Sequence, residues 1–118
     1  MLRRFHCLVL TLSLIGLVAA STVAFVRADE TGLTPEFMHD PAHIELGQHL
    51  FKQQCVKCHG KGAYPGKAPK LKVKKLSPED IYLRVTYGYG RMPAWEEVFT
   101  DEERMAITAY LKSPGFSN

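Results

Sequence analysis

The stretch Gln53-Gln54-Cys55-Val56-Lys57-Cys58-His59-Gly60 constrains this chain more than any other. Two thiols stand three residues apart, and an imidazole follows the second directly. Such a set can hold a haem, hold a metal ion, or perform thiol redox chemistry. Each option demands a different surrounding. A thioredoxin-like dithiol sits at the end of a strand within a βαβ unit. A structural zinc site needs four ligands. Haem attachment needs two thiols one helical turn apart, so that both vinyl groups are reached from one edge and the following histidine faces the iron.

The start of the chain bears on the choice. Arg3 and Arg4 form a positive leader, an apolar stretch covers 8–26, and Val26-Arg27-Ala28 offers a small-residue cleavage site. Val18-Ala19-Ala20 is a second candidate cut. The reading is a signal peptide at 1–28, an N-terminal arm at 29–40 and one domain at 41–118. The alternative is an uncleaved membrane anchor, since the apolar stretch approaches the length of a bilayer span. Either way the domain lies in the periplasm or on the outer face of the cytoplasmic membrane. Haem attachment of this type occurs outside that membrane, in agreement.

Cys7 falls in the export segment and has no assigned role, which leaves Cys55 and Cys58 for the domain. A disulfide between them is the plain structural alternative in an oxidising compartment. It would close a loop too small to constrain much of the chain. A domain this small is short of core and gains from a covalent cofactor as a staple.

Three helices are legible. Asp40-Pro41 is an N-cap followed by proline at the first helical position, opening a helix from 41 to about 55. Ile44, Gly47, Leu50 and Phe51 share one face of it. Ser77-Pro78-Glu79-Asp80 opens a second helix carrying Ile81, Leu83 and Val85, which stops at Gly88. Thr100 to Glu103 is a capping box with acids in the first turn, and the last helix runs to about Lys112 with Ile107, Tyr110 and Leu111 inward. No alternating strand pattern is present, so the fold class is all-α. Long loops in so small a domain are reconciled by wrapping around a large buried cofactor. The absence of strands also removes the thioredoxin-like setting. The zinc reading supplies only Cys55, Cys58 and His59; His39, His43 and His49 precede the motif without the usual paired spacing.

The haem reading gains a second ligand from Gly90-Arg91-Met92-Pro93-Ala94-Trp95. A thioether is a soft ligand for low-spin iron, and histidine–methionine ligation raises the haem potential. Most methionines are core filler. Met38, in the arm, and Met105, inside the last helix, fit that role better than Met92.

With Gly47 and Phe51, Cys55-Val56-Lys57-Cys58-His59, Ala68-Pro69-Lys70-Leu71, the Met92 loop and Ala109-Tyr110-Leu111 in view, the chain resembles the class I cytochrome c family in its small bacterial single-haem form. The resemblance covers roughly 41–111. It implies a cytochrome c-type fold of three main helices with long loops around one haem c, covalently bound through Cys55 and Cys58. It implies that the first and last helices cross at near right angles, with Gly47 permitting close approach and Phe51 and Tyr110 packed at the crossing. It implies iron ligated by His59 and Met92, a Pro69 carbonyl accepting from the His59 ring N–H, Leu71 packed on the haem, and Trp95 closing the distal pocket. The chain departs from the pattern in a lysine-rich loop and in Tyr87 and Tyr89 around Gly88, which either bond or cover a haem propionate.

Iron with both axial positions filled is left with one-electron transfer, so the expected function is an electron carrier and not an enzyme. The alternative is a haem subunit fixed in a larger oxidoreductase complex. A ligand-binding or peroxidase-like haem protein ranks last, because no catalytic distal groups are supplied. The net charge of +3 includes Arg3, Arg4 and Arg27, so the exported domain is near neutral. Its charge is segregated: eight lysines and no acid from Lys52 to Lys75, five acids and no base from Glu96 to Glu103. This is a dipolar surface suited to an acidic redox partner, not a nucleic-acid footprint. A membrane contact follows only if the first segment stays uncleaved.

Overall fold

The structure is a computed structural model that describes residues 31–62 and 65–116. The signal segment and the first part of the arm lie outside the described residues. Helix α1 (Pro35–His39) is short and opens where the Thr34 hydroxyl accepts from the Phe37 N–H at 3.2 Å. Helix α2 (Pro41–Leu50) follows directly, with Asp40 as its cap and proline at its start. The chain then widens into a π turn (Phe51–Cys55) and returns to α geometry in α3 (Val56–His59). Leu50, Cys55 and Val56 all keep right-handed helical dihedrals, so 41–59 forms one uninterrupted rod. It ends at Gly60, whose φ of 76° no branched side chain adopts readily.

A single 3₁₀ turn (Val73–Lys75) interrupts the lysine-rich loop. Lys112 Nζ donates to the Val73 and Leu76 carbonyls at 3.2 and 2.9 Å and fastens that turn to the last helix. Helices α4 (Pro78–Tyr87) and α5 (Asp101–Lys112) both open on complete capping boxes, Ser77 with Asp80 and Thr100 with Glu103. Among the described residues the only extended pairing is an isolated bridge between Tyr89 and Met92.

The core lies where α2 meets α5. A Cβ on Gly47 would fall 1.9 Å from the Ala106 carbonyl oxygen and 2.9 Å from Tyr110 Cβ, so the two backbones touch there. Phe51 lies one turn further along the rod, at the start of the π turn, and is almost fully buried. Its ring meets Tyr110 at 5.7 Å and Phe116 at 5.4 Å, and Tyr110 meets Phe116 edge-on at 5.3 Å. Tilted pairs of this kind add ~0.5–1.5 kcal/mol each beyond the area they bury. Ile81 and Val85 of α4 close the other side. Leu83, expected to share their role, points away and is 46% exposed, because it stands half a turn from both.

Two sequence expectations change in extent. The rod carries the dithiol motif on its own last turns, whereas the periodicity ended it at about 55. The arm is not free where it is described: Leu33 is buried and α1 packs against α2 and α5.

At the start of α5, Arg104 is buried, with its guanidinium donating to the Glu96 and Phe99 carbonyls at 3.1 and 2.7 Å and to the Asp101 carboxylate. The Tyr82 hydroxyl donates to the same carboxylate at 2.6 Å. The Tyr82 and Arg104 bonds together hold the Asp101 carboxyl below its ordinary range.

Two glycine substitutions test this geometry. Gly47→Ala forces apart two backbones, and we expect a loss of about 3 kcal/mol, or roughly 12–24 °C in melting temperature by circular dichroism. Gly115→Ala, whose Cβ would meet only Ser113 Oγ at 3.8 Å, should change stability by less than about 0.5 kcal/mol. In the hairpin, Gly88 has φ 79° and its Cβ would lie 2.5 Å from the Met92 carbonyl oxygen, whereas a Cβ on Gly90 (φ 59°) meets nothing. Gly88→Ala should therefore cost about 1 kcal/mol more than Gly90→Ala in denaturant unfolding, since only the first adds overlap to backbone strain.

Candidate functional site

The last two turns of the rod present the motif. Cys55 is half-buried against the core, Cys58 is exposed on the outer side of the turn, and His59 is half-buried at the end. Both thiols are free. Burial pushes the Cys55 thiol up to about 11, and the neighbouring Cys58 adds to the shift. A redox dithiol needs the reverse, a lowered thiol at a helix N-terminus. Here the pair sits at a helix C-terminus, where the macrodipole disfavours a thiolate. The thioredoxin-like reading therefore fails on local electrostatics as well as on fold. Among the described residues no group of three or more His, Cys, Asp or Glu side chains is arranged to hold a metal ion.

His59 is held neutral more firmly than a free imidazole, because burial lowers its proton affinity. A neutral ring is the form that ligates iron. Its Nδ1 is buried without a hydrogen-bond partner. The Pro69 carbonyl, expected to accept from this nitrogen, does not do so here, and Pro69 is exposed. The loop before it is pinned one step away. The Ala68 N–H donates to the Cys58 carbonyl at 2.8 Å, and a Cβ on Gly66 would lie 2.2 Å from that same oxygen. Gly66 and Ala68 thus press the lysine-rich loop onto the end of the rod. Gly66 was readable only as one more glycine in a polar loop.

Across the core from the motif, the segment after α4 forms a tight hairpin. Tyr89 N–H donates to the Met92 carbonyl at 3.1 Å, and Met92 N–H donates to the Tyr89 carbonyl at 3.0 Å. Met92 itself is half-buried. Trp95 N–H reaches the carbonyls of both Val85 and Thr86 at 3.1 Å, and the Trp95 ring stacks on Phe99 at 5.5 Å. Cys55, Val56, Leu71, Met92 and Trp95 all pack, partly exposed, against one hydrophobic cluster. The structure thus gathers one motif thiol, the methionine, Leu71 and Trp95 on one core; it leaves Cys58 and Pro69 at the surface. Tyr87 and Tyr89 are each 65% exposed, and the Arg84 guanidinium lies 4.2 Å above the Tyr89 ring.

These residues fit a covalently held haem. Two free thiols one turn apart suit addition across vinyl groups. A neutral, desolvated histidine with an unpartnered Nδ1 suits a metal ligand whose other nitrogen seeks an acceptor. Val56, Leu71, Met92 and Trp95, each half-buried against the hydrophobic cluster, supply apolar surface of the kind a large apolar ring needs.

Comparison with known proteins agrees. The family model described as Cytochrome C oxidase, cbb3-type, subunit III, matches residues 42–111, more than half of the chain. A cytochrome c6 from Bryopsis maxima is 34% identical over 77 residues, covering 58% of this chain and 88% of that protein. The quinohemoprotein alcohol dehydrogenase ADH-IIG of Pseudomonas putida is 36% identical over 89 residues, 70% of this chain but only 12% of the dehydrogenase's length. Among solved structures, the c-type cytochrome SorU from Sinorhizobium meliloti superposes with a TM-score of 0.51 at 31% identity, covering 61% of this chain and 90% of that one. The KustC0563 c-type cytochrome superposes at 0.53 with 28% identity, covering 61% and 98%. The chain belongs to this family of class I c-type cytochrome domains, and it carries one haem c attached through Cys55 and Cys58.

Proposed function

We propose that this protein is an exported single-electron carrier whose haem iron is ligated by His59 and Met92. The observation that carries the reading is the hairpin at Met92: two backbone bonds close it, and its methionine packs on the same cluster as Cys55. Haem iron with both axial positions filled by side chains supplies reversible one-electron transfer and offers no open position to a substrate.

The chain's own residues have distinct tasks in this reading. Cys55 and Cys58 hold the group at one edge. His59 would ligate the iron through Nε2, leaving its Nδ1–H for an acceptor, for which the Pro69 carbonyl, one residue beyond the anchored Ala68, is the proposed partner. Such an acceptor fixes the tautomer and raises ligand basicity. Leu71 and Trp95 exclude water from the apolar faces. Lys52, Lys57, Lys61, Lys67, Lys70, Lys72, Lys74 and Lys75 flank the motif in sequence and steer an acidic partner at long range. Export follows from the reading of 1–28 as a signal peptide, under which the protein works in the periplasm or on the outer face of the cytoplasmic membrane. Among the described residues no helix is long and apolar enough to cross a membrane.

A second reading has its own support. The matched family model is described as an oxidase subunit, and one relative is a dehydrogenase. A domain fixed in such a complex would keep the same ligands and lose the need for charge steering.

The ferric protein should show the weak near-infrared charge-transfer band of an iron–thioether bond, and Met92→Ala should abolish it and allow carbon monoxide to bind the reduced form at rest. A wild-type spectrum without the band would remove Met92 as ligand. The electron-transfer rate to an acidic redox protein should fall at least about tenfold between 10 mM and 500 mM salt, as screening shortens the reach of the lysines. A rate independent of salt, with association that survives it, would favour the fixed subunit.

A further inference from the structure

The tip of the Met92 hairpin has little packing of its own. Tyr89, Gly90, Arg91, Pro93 and Ala94 are all exposed, and only Met92 is half-buried. What holds the segment lies three to seven residues further on. Trp95 and Glu96 N–H groups bond the carbonyls at the end of α4. The carbonyls of Glu96 and Phe99 are taken by the Arg104 guanidinium of α5. The segment 95–99 is thus hydrogen-bonded on one side to α4 and on the other to α5 through the Arg104 side chain, with Phe99 buried in the core between them.

That side chain is unusual in its setting. Arg104 is only 8% exposed, and a buried guanidinium is unfavourable unless its donors are matched. Its Nη1 bridges two carbonyls and its Nη2 bonds the Asp101 carboxylate, while its Nε is buried without a partner, and it lies 5.8 Å over the Tyr82 ring. A planar fork serves three acceptors here, which a lysine ammonium cannot reproduce at the same positions. Nothing in the sequence pattern singles out Arg104, which follows directly on the acidic run from Glu96 to Glu103.

We infer that Arg104 is a positioning residue for the distal ligand: by fixing the Glu96 and Phe99 carbonyls it sets how firmly Met92 is held toward the iron. The inference rests on Met92 as the ligand. It makes retention of that ligand a property of α5, remote in sequence from the hairpin. Loosening the latch frees 95–99, and Met92 then competes less well with an outside ligand.

The test uses the haem-loaded protein in wild-type, Arg104→Lys and Asp101→Ala forms. Imidazole, a small external ligand for ferric iron, is titrated at pH 7.5 while the near-infrared thioether band is followed, and each form is also melted. Arg104→Lys should bind imidazole about tenfold more tightly, with a weaker band before addition, because bonds to a buried charged group are lost. Asp101→Ala removes one acceptor from an exposed position and should give about threefold. A lower melting temperature with unchanged imidazole affinity in Arg104→Lys would reduce Arg104 to a structural role and overturn the inference. If Arg104→Lys does not accumulate as folded protein, Asp101→Ala decides alone, and unchanged affinity there overturns it. A wild-type protein without the band would overturn the Met92 ligand and this inference together. A band present in all three forms with equal affinities overturns the inference and leaves the ligand standing.

Discussion

The approach of α2 to α5 at Gly47 is the contact on which the rest of the molecule depends. A Cβ there would sit within the Ala106 carbonyl. With only hydrogen in the gap, the two helices lie backbone to backbone, and Phe51, Tyr110 and Phe116 close around the junction. That junction fixes the direction of α2. The π turn and α3 continue the same rod, so the direction in which Cys55, Cys58 and His59 are delivered is set by a contact more than two turns upstream. A π turn adds one residue without breaking the rod, and such widenings recur at functional sites. Here it lies directly before the second half of the motif.

The chemistry of the site follows from the end of the helix at which the motif sits. Placed at a helix N-terminus, a pair of cysteines three apart becomes a reactive dithiol. Here the pair sits at a C-terminus, and burial pushes the thiol of half-buried Cys55 up to about 11. The histidine next to it is desolvated and neutral. Free thiols and a neutral imidazole suit haem attachment. One local sequence thus serves different chemistry according to the helix end that receives it.

Much of this was legible in the sequence because its punctuation is strong. Asp40-Pro41, Ser77-Pro78 and Thr100 to Glu103 each cap a helix where expected, and α5 ends at Lys112 as read. Phe51 and Tyr110 meet as the family resemblance implied. The thiols, His59, Leu71, Met92 and Trp95 were all named beforehand, and the structure gathers Cys55, Leu71, Met92 and Trp95 on one core. What was not legible depends on distance along the chain. The passage of the rod through the motif was hidden because Gln, Lys and Cys carry no helical stripe. Helix α1 was missed because five residues are too few to show a period. The docking of Gly66 and Ala68 on Cys58, and the hold of Arg104 on Glu96 and Phe99, pair backbone carbonyls with groups that no side-chain pattern marks.

The central claim is that Cys55 and Cys58 bind one haem covalently at the end of a rod oriented by α5. The direct measurement is the intact mass of the purified protein after denaturation and acidic extraction of free haem, with a count of alkylatable thiols. The account predicts the polypeptide plus one haem, with Cys55 and Cys58 both unreactive. A bare polypeptide with Cys55 and Cys58 both reactive would contradict it.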